Sequence, residues 1–158
     1  MKRIKRRPRT RCDADGIALH GWEKFGNWHF TRDPATIDHT HAWWIANQLR
    51  TEEGYDFTPY SDDFRFKYSV WLWYESGELV AGLFFRHWLP DDKHPDVGHE
   101  LCWVWVVPNA RRQGILSSVW PKLREMYGDF WVQGPLSDGM RSFLRRPGFH
   151  AKNFGRDV

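Results

Sequence analysis

With 158 residues, the chain is long enough for one folded domain to bury a hydrophobic core without disulfide bonds or a structural metal. Its 41% hydrophobic content, with 11 Trp and 11 Phe, excludes a disordered chain. The net charge of +3 comes from residues 1–11, which carry seven basic side chains and no acidic one, so the remainder of the chain is slightly acidic.

The basic N-terminal segment is predicted to be a disordered tail over residues 1–13, and residues 14–158 are predicted to form a single domain. A Lys/Arg run of this density either binds nucleic acid by neutralising phosphates or is a solvated end, and both interpretations stay open. The two cysteines, Cys12 and Cys102, indicate reduced thiols in a cytoplasmic protein and exclude a zinc site built on cysteines. No apolar stretch reaches the roughly 18 residues that span a bilayer, so we expect no membrane contact.

The first elements after the tail are a weak strand region and a helix. Aromatic residues scattered over 17–30 favour short strands broken by turns. Over 36–50, apolar side chains recur at helical spacing, with Thr36 or Asp38 available to cap the start. This region therefore predicts strand segments followed by one amphipathic helix.

The next segments predict a loop and a β-hairpin. Residues 51–65 combine acidic and aromatic side chains with a glycine and a proline, which is typical of a loop at the rim of a site. Residues 68–75 and 78–88 are rich in β-formers and are joined by Ser76-Gly77, which predicts a tight hairpin turn.

Residues 98–108 are apolar on both alternating faces, which predicts a central strand. From Arg111 the apolar period becomes helical, and Pro121 predicts a kink or a tightened first turn in that helix. A short strand over 129–134 follows, and then a helix capped by Ser137, which ends before a Pro-Gly pair.

The junction between the central strand and the following helix has a physical use. The first turn of a helix leaves backbone N–H groups unpaired and carries partial positive charge, so phosphates bind there. Gly114 lets a phosphate approach the backbone closely, and Arg111 and Arg112 are expected to add mobile positive charge. The sequence therefore predicts a phosphate-binding strand–helix junction.

Residues 104–123 resemble the coenzyme A-binding motif of the GCN5-related N-acetyltransferase (GNAT) superfamily. In that family a strand ending in V-x-P leads into Arg/Gln-x-x-Gly-x-Gly/Ala, and here the motif falls on Arg111, Gly114 and Leu116. The resemblance covers about residues 66–150. It implies an α/β fold with a mixed, mostly antiparallel sheet, splayed at the motif strand, with helices on both faces. It also implies an N-acyltransferase that moves an acetyl group from acetyl-CoA to a primary amine.

The resemblance also implies roles for individual residues. Backbone groups of the motif strand would pair with the pantetheine arm, and amides of the following turn would hold the pyrophosphate. Glu100, at the head of the strand, matches the general base of histone-acetylating members, although it can equally be a rim carboxylate. The residues implied to bind the cofactor are Val106, Val107, Arg111, Arg112, Gln113, Gly114, Ile115 and Leu116.

Three departures from the family pattern change what is expected. Leu116 replaces the usual small residue of the motif. Leu144 stands where many members have the tyrosine that protonates the departing thiolate, so Cys102 or a loop tyrosine, Tyr55 or Tyr60, is the substitute acid. The chain after Phe149 is short for the usual closing strand pair. We therefore expect the acceptor side of the sheet to be abbreviated, or completed by the N-terminal segment or by a second subunit of a homodimer.

Two further hypotheses belong to other functional classes. His94, His99 and Glu100 could converge with His39 and His41 on a metal ion, although the spacing alone predicts no metal site. This hypothesis connects to a more remote resemblance, to the phage Mom proteins that modify adenine in DNA, and the basic tail would suit DNA as substrate. The other hypothesis is a nucleic-acid-binding module that has lost its chemistry. The acidic loop over 51–65, rich in aromatic residues, suits a cationic amine as acceptor, although the same residues could stack on a base.

Overall fold

The computed structural model describes residues 23–31, 39–54, 67–88, 98–149 and 151–153. The predictions for the N-terminal tail and for nearly all of the loop over 51–65 lie outside these residues. The elements are β1 (Glu23–Phe25), β2 (Trp28–Thr31), α1 (His39–Glu53), β3 (Lys67–Glu75), β4 (Glu78–Trp88), β5 (Gly98–Val106), α2 (Ile115–Tyr127), β6 (Trp131–Val132), α3 (Asp138–Leu144) and β7 (Lys152–Asn153).

The described strands form one seven-stranded sheet whose spatial order follows the chain order from β1 to β7. Neighbours from β1 to β5 are antiparallel, whereas β5–β6 and β6–β7 are parallel. Ile45 of α1 packs over Gly82 of β4, and Tyr127 of α2 packs on Phe85 of the same strand. Since residues 82 and 85 point to opposite faces of β4, the helices cover both faces. The predicted mixed, mostly antiparallel α/β fold is confirmed.

The hairpin between β3 and β4 turns where the sequence predicts it. Ser76 and Gly77 both have positive φ, 48° and 76°, and Glu75 pairs with Glu78 across the two-residue loop. A loop of this length whose two residues both have positive φ matches the right-handed twist of the flanking strands. The hairpin therefore places β3 and β4 side by side in the interior of the sheet.

Helix α1 extends three residues beyond its predicted end. The predicted caps, Thr36 and Asp38, lie outside the described residues, while Ile45 and Leu49 face the core as expected. The helix stops where Gly54, at φ 69°, donates its N–H to the carbonyl of Arg50. The extension matters because it places Glu52 and Glu53 on the helix rather than in a loop.

The helix after β5 begins later than predicted, at Ile115 instead of Arg111. Arg112 and Gly114 have φ values of 62° and 81°, which right-handed helix cannot accommodate, so residues 111–114 form a turn. Helix α2 then continues through Pro121 to Tyr127 as one helix.

The far edge of the sheet is abbreviated. The strand predicted over 129–134 is reduced to the two residues of β6, and β7 adds two more residues beside it. Strands β1 and β2 pair with β3 at the opposite edge. Residues 1–22 lie outside the described residues, so completion of the acceptor side by the N-terminal segment or by a second subunit stays a prediction.

Gly98 predicts a stability effect that the sheet geometry dictates. Gly98 pairs directly with Trp88, and a Cβ at Gly98 would lie 1.6 Å from an atom of the indole ring. We expect Gly98→Ala to lower the free energy of unfolding by about 1–3 kcal/mol, because the ring must leave its position. Urea denaturation measures this. Gly139→Ala is the control, because its Cβ has only an ordinary contact and lies in a helix, where alanine is favoured; equal losses would contradict the prediction.

Candidate active site

A cavity of about 330 Å³ opens where β5 and β6 diverge. The two strands pair only at Glu100–Trp131 and Leu101–Val132, and the N–H of Gln133 makes one more bond, 2.9 Å, to the carbonyl of Leu101. Beyond this point the chain after β6 turns away from β5. The cleft is lined by residues 101–104 of β5, residues 132–137 after β6, and side chains from α1 and α3.

Cys102 lies at the point of divergence because β5 contains a bulge there. Phe84 of β4 pairs with Trp103 and Phe85 pairs with Leu101, so Cys102 is the extra residue. The extra residue of a bulge is left out of the pairing ladder and re-aims the strand. The bulge therefore places Cys102 at the wall of the cavity.

The Cys102 thiol is chemically quiet. Burial, together with the nearby Glu100 carboxylate, raises its pKa to about 12. The thiol therefore stays protonated at neutral pH, which argues against a thiolate nucleophile. It also disfavours Cys102 as the substitute acid. Because its pKa lies above that of an ordinary thiol, transfer of its proton to the departing thiolate is unfavourable.

The shifted pKa makes a direct prediction about thiol reactivity. In a Cys12→Ser variant, where Cys102 is the remaining thiol, we expect the reaction with an aromatic disulfide reagent at pH 8–9 to be at least about 100-fold slower than for a free thiol. The pKa of about 12 lies above the reference value of 9.0. Cys102 therefore stabilises the fold fully below pH 9, and that stability is lost as the pH rises towards 12. If Cys102 in the folded chain reacted at the rate of a free thiol, this result would contradict the raised pKa.

Glu100 is buried and ion-paired. Only 5% of its surface is exposed, and its Oε2 accepts hydrogen bonds from Nε of Arg86, at 3.0 Å, and from Nη2. Glu100 is not among the side chains that line the cavity, whereas Cys102, two residues later, is. The predicted base is thus present beside the cleft, held by an arginine on the neighbouring strand.

Of the histidines considered for a metal site, the structure describes the side chains of His41 and His99, and these two have different partners. His99 lies with its Nδ1 2.8 Å from Nδ1 of His87, and burial lowers its pKa. His41 instead contacts the hydroxyl of Tyr74 at 2.6 Å. Within the described residues no group of three potential ligands could hold a metal, and His94 lies outside them.

The turn before α2 has the geometry of an anion site. Gly114 precedes the helix with φ 81°, and a Cβ added there would meet nothing within 4 Å. The first intrahelical bond runs from the N–H of Ser118 to the carbonyl of Gly114, 2.9 Å. The amides of residues 115–117 therefore have no acceptor within the helix, and they point beyond its N-terminus. Arg112 is exposed beside them.

Backbone groups at the end of β5 already form hydrogen bonds within the protein. The N–H of Val107 bonds the carbonyl of Val80 at 2.9 Å, and its own carbonyl accepts from Ala110. The carbonyl of Val106 accepts from Nε of Arg111, also at 2.9 Å. The resemblance assigns backbone groups of Val106 and Val107 to the pantetheine arm, but these three groups already bond with the protein. The part of β5 that can pair with such an arm is therefore residues 101–104.

Arg111 is not a mobile charge, contrary to the expectation from the sequence. Its guanidinium makes a two-point contact with Glu52 of α1, Nη2 to Oε2 at 2.6 Å and Nη1 to Oε1 at 2.5 Å. The hydrogen bonds with Arg111 lower the pKa of Glu52, and the same contact raises the pKa of Arg111. No local pattern indicated a role for Glu52, because this residue lay in a segment predicted to be a loop.

The other departures from the family pattern have plain structural outcomes. Leu116 is partly buried and packs against the core, and Leu144 is buried. Tyr55 and Tyr60, the tyrosines considered as acids, lie outside the described residues. A further cation that the sequence did not single out is Arg146, whose guanidinium donates to Oγ of Ser117 at 3.4 Å, in the first turn of α2.

In the part of the chain that the structure describes, none of the helices is both long and apolar enough to cross a bilayer. No protein-family model and no curated protein matches the sequence.

Several solved structures are similar to the chain. The xEco2 acetyltransferase domain bound to a CoA conjugate is 17% identical, covering 76% of this chain and 87% of that chain, with a TM-score of 0.48. A ribosomal-protein-alanine N-acetyltransferase from Brucella melitensis biovar Abortus is 15% identical over 67% and 81%, with a TM-score of 0.49. An aminoglycoside acetyltransferase from an uncultured soil metagenomic sample is 19% identical over 70% and 80%, with a TM-score of 0.45.

Proposed function

We propose that the chain is a divergent GNAT enzyme that binds acetyl-CoA and transfers its acetyl group to a primary amine. One observation carries this proposal: the strand that walls the cavity, β5, leads directly into the turn at Gly114 and the open N-terminus of α2. An elongated ligand with an apolar arm and a phosphate end fits such a continuous path.

The cleft suits the arm of the cofactor. Beyond Leu101 the described residues provide no strand partner for β5 on its β6 side, so the backbone there can pair with an extended chain that carries amides. The walls are largely apolar, from Leu49 of α1 to Met140 of α3. The pantetheine arm, with two amides in an extended chain, has this chemistry.

Three features of the chain favour binding of the pyrophosphate of the cofactor. The unpaired amides of residues 115–117 and the helix dipole favour an anion. Arg112 is exposed next to them, and Arg146 lies beside Ser117 in the same first turn. Together they supply positive charge to the pyrophosphate without the help of Arg111.

Glu100 is the proposed general base. It would accept a proton from the acceptor ammonium, through a water molecule, so that the neutral amine attacks the thioester that acetyl-CoA supplies. Arg86 fixes the carboxylate on β5 next to the bulge, where the cavity begins. Because the Cys102 thiol is a poor acid, a tyrosine of the loop predicted over 51–65, such as Tyr60, is the better candidate to protonate the departing thiolate.

The acceptor is proposed to be a cationic amine. Glu53 is the carboxylate that α1 contributes to the cavity wall, and the sequence over 51–65 adds further acidic residues. Nucleic acid bound by residues 1–11, which lie outside the described residues, stays a prediction, as do a homodimer and metal-dependent DNA modification.

The proposal is tested by ligand-dependent melting followed by an acceptor screen. Acetyl-CoA at 100 times its dissociation constant should raise the free energy of unfolding by about 2.7 kcal/mol. Release of free coenzyme A is then followed with a lysine peptide, a polyamine and an aminoglycoside as acceptors. Absence of a melting shift with acetyl-CoA would overturn the proposal, and a shift with Fe²⁺ alone would favour the DNA-modifying alternative.

A further inference from the structure

Glu52 lies at the centre of a network that joins helix α1 to the phosphate-binding turn. Its Oε2 accepts hydrogen bonds from Nε1 of Trp105, at 2.8 Å, and from Nη2 of Arg111, at 2.6 Å. The same guanidinium reaches back to the carbonyl of Val106 and lies 5.9 Å from the centre of the Trp105 ring. Trp105, in turn, packs edge-on against Trp44 of α1. One carboxylate thus links α1, the end of β5 and the turn after it.

We infer that Glu52 is a positioning residue for cofactor binding: through Arg111 it fixes the turn over 111–114, which leads into the phosphate-binding amides of residues 115–117. The inference rests on the proposed function, and it reassigns the first arginine of the motif. Arg111 has its guanidinium committed to Glu52 and Val106, so it braces the turn, while Arg112 supplies charge to the phosphates.

The turn needs such a brace because of its conformation. Between Val107 and the helix, Arg112 and Gly114 both have positive φ, and an L-residue such as Arg112 does not adopt this backbone readily. The residues over 111–114 are all exposed, so core packing does not hold them. The link from Arg111 to Val106 closes the turn across five residues, and a turn fixed in advance binds its ligand without paying for ordering on binding.

The alternative role for Arg111 makes a prediction of opposite sign. If Arg111 were a phosphate ligand that Glu52 merely restrains, removing the carboxylate charge would release a cation beside the pyrophosphate and tighten binding. If Glu52 acts by positioning, the same substitution loosens the turn and weakens binding. The direction of the change in affinity therefore separates the two roles.

The experiment compares Glu52→Gln, Arg111→Met and the double variant in the full chain, by calorimetric titration with coenzyme A and with pantetheine, which lacks the phosphates. We expect each single variant to weaken coenzyme A binding about three- to tenfold, and the double variant to add little more, because the two residues act as one unit. Pantetheine affinity should change less than about twofold. Glu125→Gln is the control: it also removes a surface ion pair, with Lys122 on α2, but should leave both affinities unchanged.

Other outcomes overturn the inference in distinguishable ways. Tighter coenzyme A binding by Glu52→Gln would mean that Arg111 is a direct phosphate ligand. A loss of coenzyme A affinity in Arg111→Met but not in Glu52→Gln would mean the same. Equal losses of affinity for coenzyme A and for pantetheine would mean that Glu52 has only a general structural role. Thermal melting without ligand shows whether a variant has lost its fold. Failure of the unmodified chain to bind coenzyme A would instead overturn the proposed function, and this inference with it.

Discussion

Replacing Gly114 with alanine is expected to weaken coenzyme A binding by about 10- to 100-fold while costing the fold only about 1 kcal/mol. Gly114 has φ 81°, and nothing lies within 4 Å of the position its Cβ would take, so the protein itself has room for the methyl group. The open space is where a phosphate would approach the amides of residues 115–117. A methyl group there obstructs the ligand more than it disturbs the chain.

The matched control lies at the other end of the same helix. Gly128 also has a positive φ, 60°, and open space around its Cβ position, and it ends α2 as Gly114 begins it. Its ψ of −136° makes the conformation at least as unfavourable for alanine, so Gly128→Ala should cost as much stability. Coenzyme A affinity should nevertheless stay within about twofold of the unmodified chain.

Calorimetric titration and thermal melting of the two variants give the required comparison. Strong loss of affinity in Gly114→Ala alone places the phosphate at the N-terminus of α2. Equal losses in both variants would mean that backbone strain, transmitted along the helix, explains the effect. Unchanged affinity in Gly114→Ala would place the phosphates elsewhere.

Local patterns predicted the elements, because they depend on residues close together in the sequence. Alternation over 98–108 predicted β5, Ser76-Gly77 predicted the hairpin, and Ser137 caps α3, accepting from the N–H of Met140 at 3.2 Å. The late start of α2 was missed because the positive φ of Arg112 has no sequence signature: only glycine marks such a position reliably.

Contacts between distant residues could not be predicted in the same way. Glu52 and Arg111 are 59 positions apart, and nothing in either local pattern indicates that a helix end meets the motif turn. Similarly, the ion pair of Arg86 with Glu100 follows from the register of β4 and β5, and a shift of one residue would have placed the two side chains on opposite faces. The motif thus singled out the residues of the turn before α2, whereas the partners that hold this turn required the fold.

Replacing Glu100 with glutamine is expected to lower kcat for acetyl transfer by about 10²- to 10⁴-fold, with coenzyme A affinity unchanged. Glutamine keeps the size of the side chain and an oxygen that can accept from Arg86, so the pairing across β4 and β5 survives. What is lost is the capacity to take a proton from the acceptor. The measurement is the rate of coenzyme A release, alongside calorimetric affinity and melting, with whichever amine the acceptor screen identifies.

An acceptor series separates a base from a structural carboxylate. At one fixed pH below 9, where the Cys102 thiol is protonated in folded and unfolded chains alike, the variant is compared with the unmodified chain on amines of decreasing basicity. An amine that is already neutral at the assay pH needs no base, so the deficit of Glu100→Gln should shrink as the acceptor becomes less basic. A deficit that stays constant across the series would show that Glu100 serves by holding Arg86, and that the proton leaves by another route.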